Sequence, residues 1–482
     1  MPDIRYVCLS DMHFGEEDSL LTNLNKRTAR VDVAEASPVL IRMAEGLRTL
    51  IGKNVNLEIK PTLILNGDIL ELALCSTSDA SMAFLRFIEL VMEEGNELFK
   101  DIVYIPGNHD HHLWELARET QYVKFIKDKS PTDILKEPWH NTKIFIENYP
   151  KAPPSFYLNT LVKMLDHLKD DKRKEAGKEP FKVTVAYPNF GLISEDCQRS
   201  VLFSHGHYIE PLYHLMSRLR VELLGGEMPD EIWEIEGENF AWVDFFWSAM
   251  GRSKGAGQEI ERIYERMLNK EGRGQLAVML ARAIAPHVGY DWTDSAEVKM
   301  MAPAINALIE KALKLEKTET GDEPLSEKAR KGLDDYMMGP LANQQRGERF
   351  IAPDVTFVFG HTHKPFVETK DFTGYTKPVA LYNTGGWIVE TVVRNTQHGG
   401  SIVLIDEALT TVSLDVYREN ELRSGSLVEV RATGAGQQSA FCSRIKGLVD
   451  EERKFWDGFS DLIFDEIELR AKALNVRVSA SA

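Results

Sequence analysis

Cysteine is scarce. The chain of 482 residues holds four, at positions 8, 75, 197 and 442, and no two of them form a CxxC pair. A disulfide framework or a zinc–cysteine site is therefore not expected, and the thiols read as reduced. Long apolar runs are missing as well: no uncharged stretch approaches the roughly 18 residues of a membrane-spanning helix. The opening Met-Pro-Asp-Ile-Arg has no charged leader before an apolar core, so no signal peptide is expected, and the cytoplasm is the expected compartment. Positive charge is in deficit, with 57 Lys and Arg against 74 Asp and Glu and a net charge of −17. That disfavours a broad electropositive surface for non-specific nucleic-acid binding. Internal repeats and low-complexity segments are also absent. The length exceeds what one simple core holds, so two or three domains, or one domain with large insertions, are expected.

What is present is an alternation of short apolar runs and amphipathic helices. Ile4 to Leu9, Thr62 to Leu65 and Ile102 to Ile105 read as strands. Between them, apolar residues at helical spacing predict helices over 38–51 and 80–99, and residues 16–37 read as a polar loop. This is the pattern of an α/β layered domain. Helices are predicted over 112–127 and 155–174, the latter with a charged, solvated tail at 169–174. Strands follow over 181–186, 191–193 and 199–203.

From 209 to 350 strand signals vanish. Helices are predicted over 212–224, 231–250, 259–268, 275–287, 296–315 and 326–338, and the stretch reads as a helical cap over the α/β core. Its aromatics, Trp233, Phe240, Trp242, Phe245, Phe246 and Trp247, suit either a helical core or an apolar substrate pocket. The β pattern resumes over 354–359, 365–369, 378–382, 387–393, 401–405 and 411–416. A long amphipathic helix is predicted over 440–474, docked on the core or mediating oligomerisation.

Five polar clusters each close an apolar run: Asp11-Met12-His13, Gly67-Asp68, Gly107-Asn108-His109-Asp110, His205-Gly206-His207 and Gly360-His361-Thr362-His363. Singly each is weak, since Gly-Asp is an ordinary turn dipeptide. His361 and His363 say more, because i and i+2 side chains of an extended segment point the same way. Together the clusters offer carboxylate, amide and imidazole donors without thiolate, a set suited to Mn, Fe, Zn or Co. Seven ligands are too many for one ion and fit two ions sharing a carboxylate. Such a pair, about 3.5–4 Å apart, can clamp a phosphoryl group and activate water.

In this order the clusters resemble the calcineurin-like metallophosphoesterase superfamily, whose pattern is D-x-H, GD, GNH(D/E), H and G-H-x-H. Asn383-Thr384-Gly385-Gly386-Trp387 is similar to the N-x-G-x-W that often follows. The resemblance covers residues 1–208 and about 354–420. It implies a four-layer α/β/β/α metallophosphoesterase sandwich with a large helical insertion and a C-terminal helix. The implied division is a core over 1–208 and 351–420, a cap over 209–350 and a helical extension over 421–482. It further implies one ion held by Asp11, His13, Asp68 and His363, and a second by Asp68, Asn108, His205 and His361. His109 would be no ligand but would face the leaving oxygen, with Asp110 orienting it. His207, His111 and His112 would lie behind the ligands or face substrate.

The implied activity is hydrolysis of phosphate esters or phosphoanhydrides by a metal-activated hydroxide, on a phosphorylated small molecule or lipid-like substrate. Gly67-Asp68 is not followed by the Asp-Arg-Gly of the protein phosphatases, which disfavours that branch. Locally the motifs are most similar to UDP-2,3-diacylglucosamine pyrophosphatases, which share GNHD, a helical lid and GHTH-x-P, here continued by Lys364-Pro365. Those chains are much shorter and usually carry His-Gly-Asp. The alternatives are a nuclease or nucleotide phosphodiesterase, and a non-catalytic scaffold retaining a metal site.

Overall fold

A computed structural model describes residues 1–145, 183–249, 323–419 and 428–481, less 29, 94, 128, 136–138, 349 and 393, with short pieces within 274–307. The helices expected over 155–174, 259–268, 275–287 and 296–315 lie wholly or largely outside the described residues.

Two sheets stack face to face, and a two-stranded hairpin of β2 (Leu24–Asn25) and β3 (Arg30–Val31) lies within the loop after β1 (Tyr6–Leu9). The larger is ordered β14-β13-β12-β1-β4-β5-β6. Its centre is parallel: β1 (Tyr6–Leu9), β4 (Thr62–Asn66), β5 (Asp101–Ile105) and β6 (Val183–Val185). An antiparallel flank follows in β12 (Gly399–Ile405), β13 (Thr411–Arg418) and β14 (Glu429–Arg431). The smaller sheet is ordered β10-β11-β9-β8-β7, from β7 (Asn189–Ile193), β8 (Arg199–Ser204), β9 (Asp354–Phe359), β10 (Phe366–Lys370) and β11 (Val379–Asn383). Cys8, Ile64, Val103 and Val403 of one sheet meet Phe190, Val201, Phe203 and Val358 of the other in a buried layer. Strands covered on both faces need continuous apolar runs, which is why Thr62–Asn66 carries no alternation and is buried throughout.

Helices close the outer faces. Helix α1 (Pro38–Gly52) starts where Ser37 Oγ accepts the Leu40 amide at 3.0 Å and Pro38 pre-sets the first turn. It buries Val39, Leu40, Met43, Leu47 and Leu50. Helix α2 (Thr77–Val91) is capped by Ser76, and α3 (His112–Lys127) follows the third cluster. Beyond β8 come α4 (Leu215–Leu224) and α5 (Ile232–Asp244), the latter running into a π-helical turn, Phe245–Ala249. Helices α6 (Glu327–Met338) and α7 (Pro340–Glu348) belong to the stretch read as a cap. Yet α6 reaches the smaller sheet: Tyr336 donates to Asn189 at 2.9 Å and Arg330 pairs with Glu368 at 3.0 Å. The result is the four-layer α/β/β/α sandwich with helical additions.

Three expected elements differ. The helix predicted over 80–99 ends at Val91, where Met92 leaves the helical backbone as its C-cap, and Gly95 then turns the chain through φ +81°. Leu98 and Phe99 continue the apolar spacing but are buried from the loop that leads into β5. The strand expected over 387–393 does not form over 387–392, the described part of that stretch. Trp387 donates to Asp11 O, its carbonyl accepts from Leu20, and Val389 donates to Asp18, so this backbone braces the first cluster's loop instead of a ladder. The long terminal helix breaks at Glu452 into α8 (Ala440–Glu451) and α9 (Arg453–Ser481). Phe441, Ile445 and Val449 before the break and Trp456, Phe459, Ile463 and Ile467 after it are buried in the same core. Residues 421–482 are also not purely helical, since β14 joins the sheet edge.

Helix α9 reaches back to the site loop. Fully buried Arg470 donates to Ser19 O (2.8 Å) and Thr22 O (2.7 Å) and pairs with Glu466 (2.6 Å). Arg470→Ala leaves Glu466 and two carbonyls without that donor, and a loss of roughly 3–5 kcal/mol is expected in denaturant unfolding.

Candidate active site

The clusters follow the carboxyl ends of β1, β4, β5, β8 and β9, where open α/β sheets place their sites. The backbone there is bent into conformations that L residues avoid. Asp11 (φ 50°), His13 (45°), Asp68 (50°), His361 (69°) and His363 (53°) all have positive φ. Among the described residues only Cys197 and Leu409 join them outside glycine. Such strain persists only where the surroundings over-determine it.

The loops are laced to one another. Asp11 N donates to Gly67 O and His13 N to Asp68 O. Asp68 Oδ1 accepts the His109 amide (2.8 Å), and Asp11 Oδ1 accepts the His361 amide (2.9 Å). Two motif glycines are needed for this approach: a Cβ on Gly107 would lie 2.3 Å from Asp68 Oδ1, and one on Gly360 2.1 Å from Asp11 Oδ2.

Six of the seven expected ligands form two compact groups, Asp11–His13–His363 and Asp68–His205–His361, with donor atoms within 4.8 Å of one another in each. Asn108 joins the second, its Oδ1 3.1 Å from His205 Nε2. The donor chemistry fits cations. His13 Nδ1 lies 3.0 Å from Glu71, and His363 Nδ1 is bonded to Glu390, so each ring turns its Nδ1 to a carboxylate. Their Nε2 atoms then face each other 3.3 Å apart. At the second group His205 Nδ1 meets Asn66 O (3.2 Å), while its Nε2 faces Asp68 Oδ2 and Asn108 Oδ1, both at 3.1 Å. Lone pairs converging in a buried space require a cation among them, and imidazoles anchored through the other nitrogen are how proteins present them to metals. Without one a proton serves: burial would lower His205, but Asp68 and Asp11 raise it to about 9.

His109 stands differently. Its imidazole is partly open, and Nδ1 lies 2.7 Å from Glu71 Oε2. Burial opposes its charge, yet Glu71 and Asp68 lift it to about 10; burial would raise Glu71, but His109 and His13 hold it near 2. Asp110 does not orient His109. Its carboxylate accepts amides of Gly107 (2.6 Å) and Ile69 (2.9 Å) and the Tyr104 hydroxyl, so it pins the third cluster to the second. Buried Glu71 holds His109, with Oε1 fixed by the Ala73 and Leu74 amides.

Glu71 and Glu390 were not singled out in the sequence. Glu71 lies three residues past Asp68 and Glu390 three past Trp387, in stretches with no feature that marks an acid as a histidine partner. Of the additional histidines, His207 is buried, with Nε2 3.4 Å from Tyr187 Oη. Burial and then His205 and His361 push it well below the usual imidazole range. His111 and His112 turn away, towards carboxylates of α5.

The helical segment after β8 supplies aromatic walls. Tyr213 stacks edge-on to His361 (5.2 Å between centroids) and tilts on Trp247 (5.5 Å), which itself stands 6.3 Å from His109. Trp242 is buried, Phe240 packs on His111, and Trp233 and Phe245 are exposed, so among the described cap aromatics Trp247 and Tyr213 meet the site.

The calcineurin-like phosphoesterase family model matches residues 4–249, just over half the chain. Among curated proteins none matches. Among solved structures the chain is similar to a phosphopantetheinyl hydrolase from Mycobacterium tuberculosis, at 14% identity over 79% of this chain and 89% of that one, TM-score 0.23. It is also similar to a dimetal phosphatase from Danio rerio, at 11% identity over 87% and 97% of the two chains, TM-score 0.28.

Proposed function

This chain belongs to the calcineurin-like phosphoesterase family and is a metal-dependent phosphoesterase, and on that premise we propose how its residues carry the reaction. One divalent ion would be held by Asp11, His13, Asp68 and His363, and a second by Asp68, Asn108, His205 and His361. Mn, Fe, Zn and Co all suit the donors. When bound, the ions supply charge for the phosphoryl oxygens and an activated water near neutral pH. His109 holds the proton delivered to the leaving oxygen. Glu71 fixes that imidazole through Nδ1 and leaves Nε2 for the substrate. Asn108 and His109 flank the charge that develops on the transferring group. Residues 1–208 and 351–420 act as the catalytic core, and residues 209–350 select substrate. The observation that carries the reading is the opposed pair of Nε2 atoms on His13 and His363, each anchored by a carboxylate on its far side.

Trp247 and Tyr213, beside His109 and His361, favour a leaving group with an apolar or planar face. A lipid-like pyrophosphate, the substrate type of the UDP-2,3-diacylglucosamine pyrophosphatases, fits this wall. A nucleotide phosphodiester is the second reading, because a base stacks on the same rings. A panel of phosphomonoester, phosphodiester and pyrophosphate substrates, run with Mn²⁺, separates them. Preference for pyrophosphates with bulky apolar groups, weakened in Trp247→Ala through KM, supports the first. Preference for nucleotide diesters selects the second, and turnover of none of the three contradicts both.

A further inference from the structure

Beyond the two groups just described, His13–Glu71–His109 overlaps the first of them, and one further group of metal-type donors lies apart from all of these. His112 and Glu115 share one face of the first turn of α3, and Asp244 is the last residue of α5. Their donor atoms lie within 4.8 Å of one another. Nothing in the phosphoesterase reading uses them.

The geometry around His112 is poorly served by protons. Its Nδ1 faces Glu115 Oε2 at 3.1 Å, Asp244 Oδ1 at 3.2 Å and Asp244 Oδ2 at 3.4 Å. A ring nitrogen carries at most one proton, so three carboxylate oxygens share one hydrogen. Charge-assisted bonds of this kind close to about 2.7–2.9 Å when a proton is well placed. Donors about 2.1 Å from one ion stand roughly 3.0 Å apart at octahedral angles and roughly 3.4 Å at tetrahedral angles. The first two contacts fall in that interval. So do the edges between expected ligands at the main site: 3.1 Å for His205–Asp68 and 3.3 Å for both His363–Asp11 and His13–His363.

The surroundings complete the pattern. His111 is fully buried and spans two carboxylates, with Nε2 2.9 Å from Glu236 and Nδ1 3.3 Å from Asp244 Oδ1. It fixes Asp244 from behind, as groups around a metal site fix its ligands. Glu236 is held in turn by the hydroxyls of Tyr187 (2.9 Å) and Tyr208. Ser248 Oγ accepts the His112 amide at 2.8 Å, so the backbone of α3 is tied to the same turn that carries Trp247. Three carboxylates, Glu115, Glu236 and Asp244, then face one imidazolium. A dication with neutral His112 balances that charge; a second imidazolium does not.

We propose that His112, Glu115 and Asp244 bind a third divalent ion of the Zn²⁺ type, which clips the cap helix α5 to the core helix α3. Glu115 is partly exposed, which gives the ion an entry path and room for water. The clip spans from the helix behind the third cluster to the turn bearing Trp247, so it sets the cap's aromatic wall relative to His109.

The test is metal counting on the full chain, stripped by chelator, loaded with Zn²⁺ and passed through gel filtration. Three equivalents are expected for the wild type and two for His112→Ala and Glu115→Gln. Glu115→Gln changes a half-open side chain, so its folding, followed by circular dichroism, is preserved even if His112→Ala disturbs the helix. The same change in an Asp68→Asn background separates this site from the catalytic one. There, too, Glu115→Gln should remove one equivalent, and the Zn²⁺-induced rise in Tm should shrink with it. Equal metal content in Asp68→Asn with and without Glu115→Gln overturns the proposal, whatever the catalytic site retains.

Discussion

Asp68→Asn is expected to remove two-metal binding and to lower turnover by at least roughly 10³-fold, since one preorganised charge-stabilising group alone is worth about 10²–10³. The size follows from position. Asp68 is fully buried on a strained backbone (φ 50°), and its two oxygens do different work. Oδ1 accepts the His109 amide, and Oδ2 faces His205 Nε2 at 3.1 Å. Burial opposes its charge, yet His205 and His109 hold the carboxyl well below the usual range. Asparagine keeps the shape and one acceptor but loses the charge that would help to hold the two dications. Metal content, with turnover measured in excess Mn²⁺, checks the result. Full turnover with two retained equivalents at the main site would contradict the assignment.

His109→Ala is expected to behave differently: kcat falls by about 10²–10⁴, the range for a lost general acid, while both catalytic ions remain. The separation rests on geometry. His109 does form a metal-type group with His13 and Glu71, but it belongs to neither of the two ligand groups, and its Nδ1 lies 2.7 Å from Glu71 Oε2. Glu71→Gln sharpens the test. Glu71 Oε2 touches both the ligand His13 (3.0 Å) and His109 (2.7 Å), so this one change acts on metal and proton transfer together. A loss of roughly 10–100-fold is expected in metal affinity, the usual effect of disturbing a ligand's partner. The basic limb of the kcat–pH profile should also move down, because the charge that raises His109 is gone. Loss of both metals in His109→Ala would instead make it a ligand.

The residues of the proposed site were legible because they are written locally. Strands sandwiched between layers must be continuously apolar, and the polar residues ending them interrupt that run. Asp11, His13, Asp68, Asn108, His205, His361 and His363 therefore stood out before any geometry was known. What escaped is what depends on the third dimension. Asp110 sits next to His109 in sequence but points to backbone amides and Tyr104. Glu71 and Glu390 reach histidines on other loops, and no short spacing reports that. Residues 387–393 read as a strand because they are largely apolar, yet the backbone of Trp387 and Val389 bonds to the loop after β1. Leu98 and Phe99 extend a helical period past the helix itself, since burial from a loop and from a helix face read alike in one dimension. Arg470, fully buried, tethers the end of the chain to Ser19 and Thr22, a contact of very long sequence separation.

The most direct test of two-ion catalysis is hydrolysis of a chromogenic phosphodiester by chelator-stripped protein as Mn²⁺ is returned. The prediction is no turnover in the stripped protein. Activity should then rise in step with the metal that Asp68→Asn fails to bind, and stay absent in that variant at every concentration. Turnover that persists after stripping, or equal turnover by Asp68→Asn, would contradict it.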